Sequence, residues 1–178
     1  ITHISNFRKV KRVKDVVKIF AKVNKEIPSK LLMIGDGPER IKAEHLCRQL
    51  GLENKVRFLG KLRVIEKMLA ISDVFVLPSE TESFGLVALE AMASKTAVIS
   101  TNSGGISEVN IEGKTGFLSN VGDLDKMSED ILTLLKDPKF LESLKMNALA
   151  HAKSFSLENV LPQYNAIYQN LCRAINNK

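Results

Sequence analysis

The sequence LPSETESFGLVALEAMA, residues Leu77 to Ala93, joins an apolar segment to a helix through a short polar loop. The apolar residues from Val74 onward favour a buried strand, and the Ala, Leu and Met residues after the loop favour a helix. A strand that leads through a loop into a helix directs the unpaired N–H groups of the first helical turn towards the strand ends. Such a helix start binds anions, phosphate in particular. We therefore expect an anionic ligand above this turn.

Two carboxylates, Glu82 in the loop and Glu90 in the helix, flank the turn. If the helix begins near Phe84, Glu90 lies roughly 9 Å along its axis, at about 1.5 Å per residue. That separation would let the two carboxylates hold hydroxyl groups at opposite ends of a ligand about the size of a nucleotide sugar. The alternative is that both are solvated carboxylates near the start of a helix.

Apolar runs on both sides of this stretch predict short strands. We expect them at residues 1–4, 31–34, 56–59, 74–77, 97–100 and 116–118. The segments between them carry apolar residues three or four positions apart, the pattern of amphipathic helices. Strands that alternate with helices indicate parallel β-α-β units, in which helices cover both faces of a twisted sheet. The predicted fold class is α/β with a Rossmann-like parallel sheet, followed by C-terminal helices.

The loops at the carboxyl ends of these strands are expected to share one edge of the sheet, where ligands bind in such folds. They are residues 6–11, 35–38, 60–62, 79–85 and 101–105.

The composition indicates one globular domain. The 178 residues are 44% apolar and 26% charged, without the run of about 18 apolar residues that a membrane span needs. Cys47 and Cys172 have no metal-binding or redox spacing, so we expect reduced thiols in a cytoplasmic protein. Because the sequence opens on an apolar strand without an initiating Met, we expect it to be part of a longer protein.

The net charge of +6 raises the question of nucleic acid. The densest basic cluster, residues 8–14, lies at a strand-to-helix junction and has no aromatic residues between its cations. Modules that bind single-stranded nucleic acid stack bases on such aromatic residues. We therefore expect a small phosphate ligand and no nucleic acid, with a solvated surface as the alternative for half of the cluster.

Several common site motifs are absent. Gly35 to Arg40 begins like a dinucleotide fingerprint, but its sixth position is Arg and it follows the second predicted strand. The sequence has neither a P-loop nor a Gly-x-Ser-x-Gly nucleophile elbow. His3, His45 and His151 have no carboxylate or cysteine at ligand spacing, so we expect hydrogen-bonded or solvated histidines and no metal.

The remaining motifs resemble the signature of retaining family-4 glycosyltransferases of the GT-B fold. The segment from Pro78 to Ala93 carries Pro-Ser, Glu-Ser-Phe-Gly and Glu-Ala-Met-Ala at the spacing of that signature. Supporting motifs follow in order along the chain: Gly35-Asp36-Gly37-Pro38, Val56-x-Phe58-Leu59-Gly60, Ser72-Asp73-Val74, Gly104-Gly105-Ile106-x-Glu108 and Gly113-x-Thr115-Gly116-Phe117-Leu118.

The resemblance covers essentially the whole chain, but only the C-terminal, donor-binding half of such an enzyme. It implies that residues 1–178 form a nucleotide-sugar-binding domain. It also implies that residues 156–178 form a helix that packs back on an absent N-terminal, acceptor-binding lobe. Apolar residues near the end of that helix, such as Ile167, Leu171 and Ile175, are then expected to be exposed in the isolated domain.

Carried over residue by residue, the resemblance implies a site for a UDP-sugar. It places Glu90 on the ribose hydroxyls, Glu82 near the transferred sugar and Lys11 on the diphosphate. The usual arginine of the family falls at Asn6 here, so Arg8 is the candidate replacement and completes the catalytic set with Glu82 and Lys11. The expected donor-binding residues are Glu90, Asn6, Gly35, Lys61, Leu62, Ser83, Phe84, Gly85 and Leu86.

The implied reaction retains configuration at the anomeric carbon and uses no metal or other cofactor. Fixed positive charges and a helix start would stabilise the leaving diphosphate, because they are aimed where charge develops. Neither Glu82 nor Glu90 is then required as a nucleophile.

Residues His3 to Arg12 are similar to one bacterial subfamily, which joins N-acetylglucosamine from UDP-GlcNAc to L-malate in bacillithiol synthesis. The implied partners are a UDP-sugar and a small anionic acceptor that the absent lobe would bind. Whether the protein forms a homo-oligomer stays open. Three alternatives also stay open: a family-4 enzyme with a lipid or polysaccharide acceptor, a UDP-sugar epimerase, and a non-catalytic nucleotide-binding domain.

Overall fold

The computed structural model describes residues 1–176, and the side chains of residues 1–172. The strands are β1 (Thr2–Ile4), β2 (Leu31–Ile34), β3 (Val56–Gly60), β4 (Val74–Leu77), β5 (Ala97–Thr101) and β6 (Gly116–Ser119). The helices are α1 (Val13–Glu26), α2 (Arg40–Gln49), α3 (Glu66–Ala70), α4 (Leu86–Ala93), α5 (Ile106–Val109), α6 (Leu124–Lys136), α7 (Pro138–Ser154) and α8 (Leu157–Asn176). A single 3-10 turn, Lys9–Lys11, precedes α1.

All strand pairs are parallel, and the strand order is β3-β2-β1-β4-β5-β6. The order reverses between β1 and β4, which share only Thr2 and Phe75 in register. In open α/β sheets the crevice at such a reversal, outside the carboxyl ends of the strands, is where ligands bind. The loops after β1 and β4 therefore flank the expected ligand position.

Alternate strand residues pack on opposite faces of the sheet, as the two-residue period of a strand requires. On one face, Val74 and Val76 pack with α1 and α6, and Leu31 packs with α1 and α2. On the other face, Phe75 and Leu77 pack with α3, α4, α5 and α7. Both faces are covered, which confirms the predicted Rossmann-like α/β fold.

Two of the C-terminal helices begin at aspartate caps. The Asp123 side chain accepts a hydrogen bond from the Lys126 backbone N–H at 3.1 Å, and Asp137 accepts one from Phe140 at 3.0 Å. Each cap satisfies one of the unpaired N–H groups of its first turn. The caps therefore set where α6 and α7 begin.

Candidate functional site

The loop between β4 and α4 is held on both sides by its neighbours at the carboxyl edge. The Glu80 backbone N–H donates to the Val10 carbonyl at 2.8 Å, which fastens it to the loop after β1. The Gly105 N–H donates to the Glu82 carbonyl at 2.8 Å, which fastens it to the loop after β5. The loops at the reversal point of the sheet thus form one continuous rim.

Two consecutive glycines allow this close packing. A Cβ atom at Gly104 would lie 2.1 Å from the Glu82 carbonyl oxygen, and one at Gly105 would lie 2.3 Å from the Ser83 carbonyl oxygen. Both distances are far shorter than any contact that a side chain can make. The Gly-Gly motif is visible in the sequence, but its role, which is to let the Glu82 loop pack on the loop after β5, depends on contacts between distant residues.

Lys11 and Glu82, predicted to share the site, form an ion pair in its centre. Lys11 Nζ lies 2.5 Å from Glu82 Oε1, and the side chains are 20% and 9% exposed. Because both are largely withdrawn from water, their attraction is screened less than that of a surface pair. A lysine ammonium has three N–H donors, so Lys11 can bind a phosphate oxygen beside Glu82.

Helix α4 begins at Leu86, two residues later than predicted. Gly85 precedes it in the left-handed region at φ +88°, and a Cβ there would lie 2.3 Å from Ile106 Cδ1. The helix therefore begins only after the turn at Gly85. The spacing of apolar residues in the sequence does not reveal this turn. Glu90 consequently lies roughly 6 Å along the helix axis instead of roughly 9 Å, at about 1.5 Å per residue.

Glu90 is exposed on α4 and, among the described residues, its carboxylate has no hydrogen-bond or ion-pair partner. Its pKa is raised, because partial burial penalises the charged form and the like charge of Glu66 adds to that penalty. A carboxylate in this state has its acceptor oxygens available for ligand hydroxyl groups.

The other residues predicted to bind donor lie around the same rim. Asn6 and Arg8 are exposed on the loop after β1, and Lys61 and Leu62 are exposed just after β3. At the start of α4, Ser83 and Leu86 are exposed, Phe84 is half-buried and Gly85 is buried. Their assignment to a ligand stays a prediction.

Gly35 contacts the loop after β1. A Cβ at Gly35 would lie 1.8 Å from the Ser5 carbonyl oxygen, and one at Gly37 would lie 2.2 Å from the Asn6 carbonyl oxygen. The turn after β2 thus supports the backbone that carries Asn6. Binding of donor by Gly35 itself stays a prediction.

His3 lies fully buried beneath this rim. Its Nδ1 is 2.8 Å from the Val76 carbonyl oxygen and its Nε2 is 2.8 Å from Ser5 Oγ. Burial lowers the pKa of His3 to about 4, with a smaller lowering from Lys11. The prediction of a hydrogen-bonded histidine is confirmed at this position. The sequence shows a histidine in an apolar strand with a serine two residues on, but its place at the reversal point follows from the strand order.

The comparison with known proteins identifies the family. The sequence family described as glycosyl transferases group 1 matches residues 1–151. The chain belongs to this family.

Its relatives are glycosyltransferases of different specificity. The chain is 45% identical over 174 residues to N-acetyl-alpha-D-glucosaminyl L-malate synthase of Bacillus anthracis, which covers 97% of this chain and 46% of that enzyme. It is 39% identical over 141 residues to D-inositol 3-phosphate glycosyltransferase of Corynebacterium urealyticum, or 77% of this chain and 33% of that enzyme. The chain therefore spans less than half the length of these relatives.

Solved structures of other proteins share the fold. Anabaena HepE in complex with UDP superposes with a TM-score of 0.87 at 27% identity, over 95% of this chain and 48% of that one. Sucrose-phosphate synthase from Thermosynechococcus elongatus superposes with a TM-score of 0.86 at 29% identity, over 97% of this chain and 45% of that one. The GT-B-type fold implied by the sequence resemblance is confirmed.

The basic cluster of this glycosyltransferase chain divides between the site and the surface. Lys11 enters the site, whereas Arg12 pairs with Asp15 at 2.5 Å and with Glu80 at 3.5 Å. A groove of about 390 Å³ next to them is lined by Lys14 and other lysines. Part of the cluster is thus an ion-paired surface, the alternative that the sequence left open.

Two further features bear on the predictions. No helix in the described part of the chain combines the length and apolar character that crossing a membrane requires. Among the side chains that the structure describes, those of residues 1–172, no three His, Cys, Asp or Glu are grouped closely enough to hold a metal ion. Whether the reaction needs a metal stays untested.

Proposed function

We propose that this chain is the donor-binding part of a retaining glycosyltransferase that uses a UDP-sugar. One observation carries the proposal: at the reversal point of the sheet, Lys11 of the loop after β1 lies 2.5 Å from Glu82 of the loop that leads into α4. A cation for a diphosphate, a carboxylate for sugar hydroxyls and a helix start for phosphate oxygens are thereby combined on one rim.

In this proposal each residue binds a different part of the donor. Lys11, Arg8 and the start of α4 stabilise the charge that develops on the leaving diphosphate, and removal of one such donor commonly costs roughly 3 kcal/mol of transition-state stabilisation. Glu82 accepts hydrogen bonds from the transferred sugar, and Glu90 accepts them from the ribose. The acceptor hydroxyl attacks the face from which the diphosphate departs, and a phosphate oxygen takes its proton.

The donor is proposed to be UDP-GlcNAc and the acceptor L-malate. The 45% identity to N-acetyl-alpha-D-glucosaminyl L-malate synthase over 97% of this chain supports both assignments. The similarity to HepE, whose structure contains UDP, supports uracil as the base of the donor nucleotide. Because an inositol phosphate glycosyltransferase is 39% identical over 77% of the chain, another acceptor is the second candidate.

Helix α8 is proposed to pack on an acceptor-binding lobe. Ile167 is 57% exposed and Leu171 is 56% exposed, as expected of a helix whose apolar face is covered elsewhere. Ile175 lies outside the residues whose side chains are described. The chain spans 46% of the malate synthase, so the remaining length is sufficient for a second lobe of similar size.

The test has two parts. Isothermal titration should detect binding of UDP and UDP-GlcNAc to this chain, with weaker binding of GDP. The full-length protein should convert UDP-GlcNAc and L-malate to UDP and the glycoside, whereas this chain alone should release no UDP.

Different outcomes support the rival functions. Conversion of UDP-GlcNAc without consumption of malate would indicate an epimerase. Nucleotide binding by a full-length protein that transfers sugar to none of a panel of acceptors would indicate a non-catalytic domain. Turnover by the isolated chain would contradict the proposed need for a second lobe.

A further inference from the structure

A chain of hydrogen bonds runs from β4 to the loop after β1, beneath the candidate site. Because a carbonyl oxygen can only accept, His3 Nδ1 must carry the proton that it shares with Val76, at 2.8 Å. His3 Nε2 then accepts from the Ser5 hydroxyl at 2.8 Å. Ser5 Oγ in turn accepts from the Phe7 backbone N–H at 3.3 Å. The Val76 carbonyl thus sets the direction of every bond in the chain.

The loop that this chain supports has an unfavourable backbone conformation. Phe7 has φ +40°, in the left-handed region, which is a genuine outlier for a bulky residue. Such a conformation persists only where the surroundings enforce it. The fully buried Phe7 ring stacks on the His3 ring with centroids 6.0 Å apart, and the Phe7 carbonyl accepts from the Glu39 N–H at 2.9 Å. With Phe7 held inward, its neighbours Asn6 and Arg8 are exposed on the rim.

We propose that His3 and Ser5 are positioning residues for the donor diphosphate. They fix, from below, the turn that presents Asn6 and Arg8, and they tie this turn to β4, the strand that leads to Glu82. Neither is expected to touch the donor. This inference rests on the proposed function, which assigns the diphosphate to this loop.

The test compares two serines that both support β1: Ser5, which is half-buried, and Ser72, which is buried. Ser5→Ala removes the hydroxyl that links His3 to Phe7. Ser72→Ala is the matched control, because Ser72 is buried and bonds to Thr2 and to the Met68 carbonyl at the opposite, amino end of the strands. UDP affinity is measured by isothermal titration at a temperature at which circular dichroism reports every variant folded.

Ser5→Ala should bind UDP about three- to tenfold more weakly, the range that loss of one hydrogen bond gives. Ser72→Ala should lower Tm by a similar amount and leave UDP affinity within about twofold. His3→Asn keeps a donor near the Nδ1 position, but its side chain is too short to place an acceptor at the Nε2 position that bonds to Ser5. His3→Asn should therefore weaken the binding of UDP as much as Ser5→Ala does. The double variant should bind UDP no more weakly than either single variant.

Two results overturn the inference alone. One is a UDP affinity of Ser5→Ala equal to that of Ser72→Ala, and the other is a double variant whose loss of UDP affinity is the product of the losses in the two single variants. Absence of UDP binding by the unaltered chain overturns the proposed function itself, and the inference with it.

Discussion

Replacement of Glu82 by glutamine should separate the binding of UDP from the binding of a UDP-sugar. In the free chain Glu82 holds Lys11 at 2.5 Å, with the two side chains 9% and 20% exposed. A diphosphate can bind Lys11 beside Glu82, but it shares the lysine's donors with that carboxylate and is repelled by the carboxylate's negative charge. Glutamine has the same shape without the charge, so Glu82→Gln should release Lys11 to the diphosphate.

The expected gain follows from the partial burial of this pair. Exposed ion pairs contribute about 0.2–1 kcal/mol and hydrogen bonds to charged groups about 1.5–3 kcal/mol. A largely buried pair that still touches water lies between these ranges, at about 1 kcal/mol, so UDP should bind about fivefold more tightly to Glu82→Gln. UDP-GlcNAc should gain the same amount at its diphosphate but lose about 1 kcal/mol at its sugar, where a charge-assisted hydrogen bond becomes a neutral one. The affinity for UDP-GlcNAc should therefore change little.

Isothermal titration of UDP and UDP-GlcNAc at 25 °C and about 0.15 M salt checks this directly. Glu80→Gln is the matched control, since it removes the same charge from the same loop at a residue whose contact with Arg12 is 3.5 Å long. That variant should change both affinities less than about twofold. Equal weakening of UDP and UDP-GlcNAc by Glu82→Gln would refute the reasoning.

Three further predictions concern Glu90, Gly85 and His3. Glu90→Ala should weaken the binding of UDP by about 1.5–3 kcal/mol, because charge-assisted hydrogen bonds to the ribose are lost. Unchanged UDP affinity in titration calorimetry would show that Glu90 does not bind the ribose. Gly85→Ala should destabilise the chain by more than about 1–2 kcal/mol in urea denaturation, since left-handed strain adds to a contact of 2.3 Å with Ile106. Gly113→Ala is its control, with φ +68° and open space around the new Cβ, and an equal loss would contradict the steric account. The folded pKa of His3 is about 4, below its unfolded value of 6.5, so the unfolded chain binds more protons between these pH values. The His3 contribution to stability should therefore be complete above pH 6.5 and decline by up to about 1.4 kcal/mol per pH unit as the pH falls to 4, and denaturation of His3→Asn should lack this component.

The sheet was predictable from the sequence because its signals are local. The strands at 31–34 and 74–77 have the predicted bounds, and each of the other four differs by one residue at one end. The spacing of apolar residues marks each strand or helix, and glycine, proline and aspartate residues mark its ends. These signals lie within a few positions of the element that they determine. Helix α4 begins two residues after Phe84, because Gly85 before it is in the left-handed region, and a Cβ at Gly85 would also lie 2.3 Å from Ile106 Cδ1.

The site was predictable only in outline. The resemblance named Lys11 and Glu82 separately, but their ion pair joins residues 71 positions apart. The hydrogen bond of His3 to Val76 joins residues 73 positions apart. Such contacts depend on the strand order, which brings β1 beside β4, and no local pattern contains them. The role of Gly104 likewise appears only when the Glu82 loop is seen resting on it.

The central claim is that this rim holds a nucleotide sugar by its diphosphate. A crystal structure of the chain with UDP-GlcNAc tests it most directly. The account predicts diphosphate oxygens within about 2.7–3.2 Å of Lys11 Nζ and of backbone N–H groups at the start of α4, with the ribose at Glu90. Nucleotide bound in the lysine-lined groove beside Arg12, with the rim empty, would contradict it.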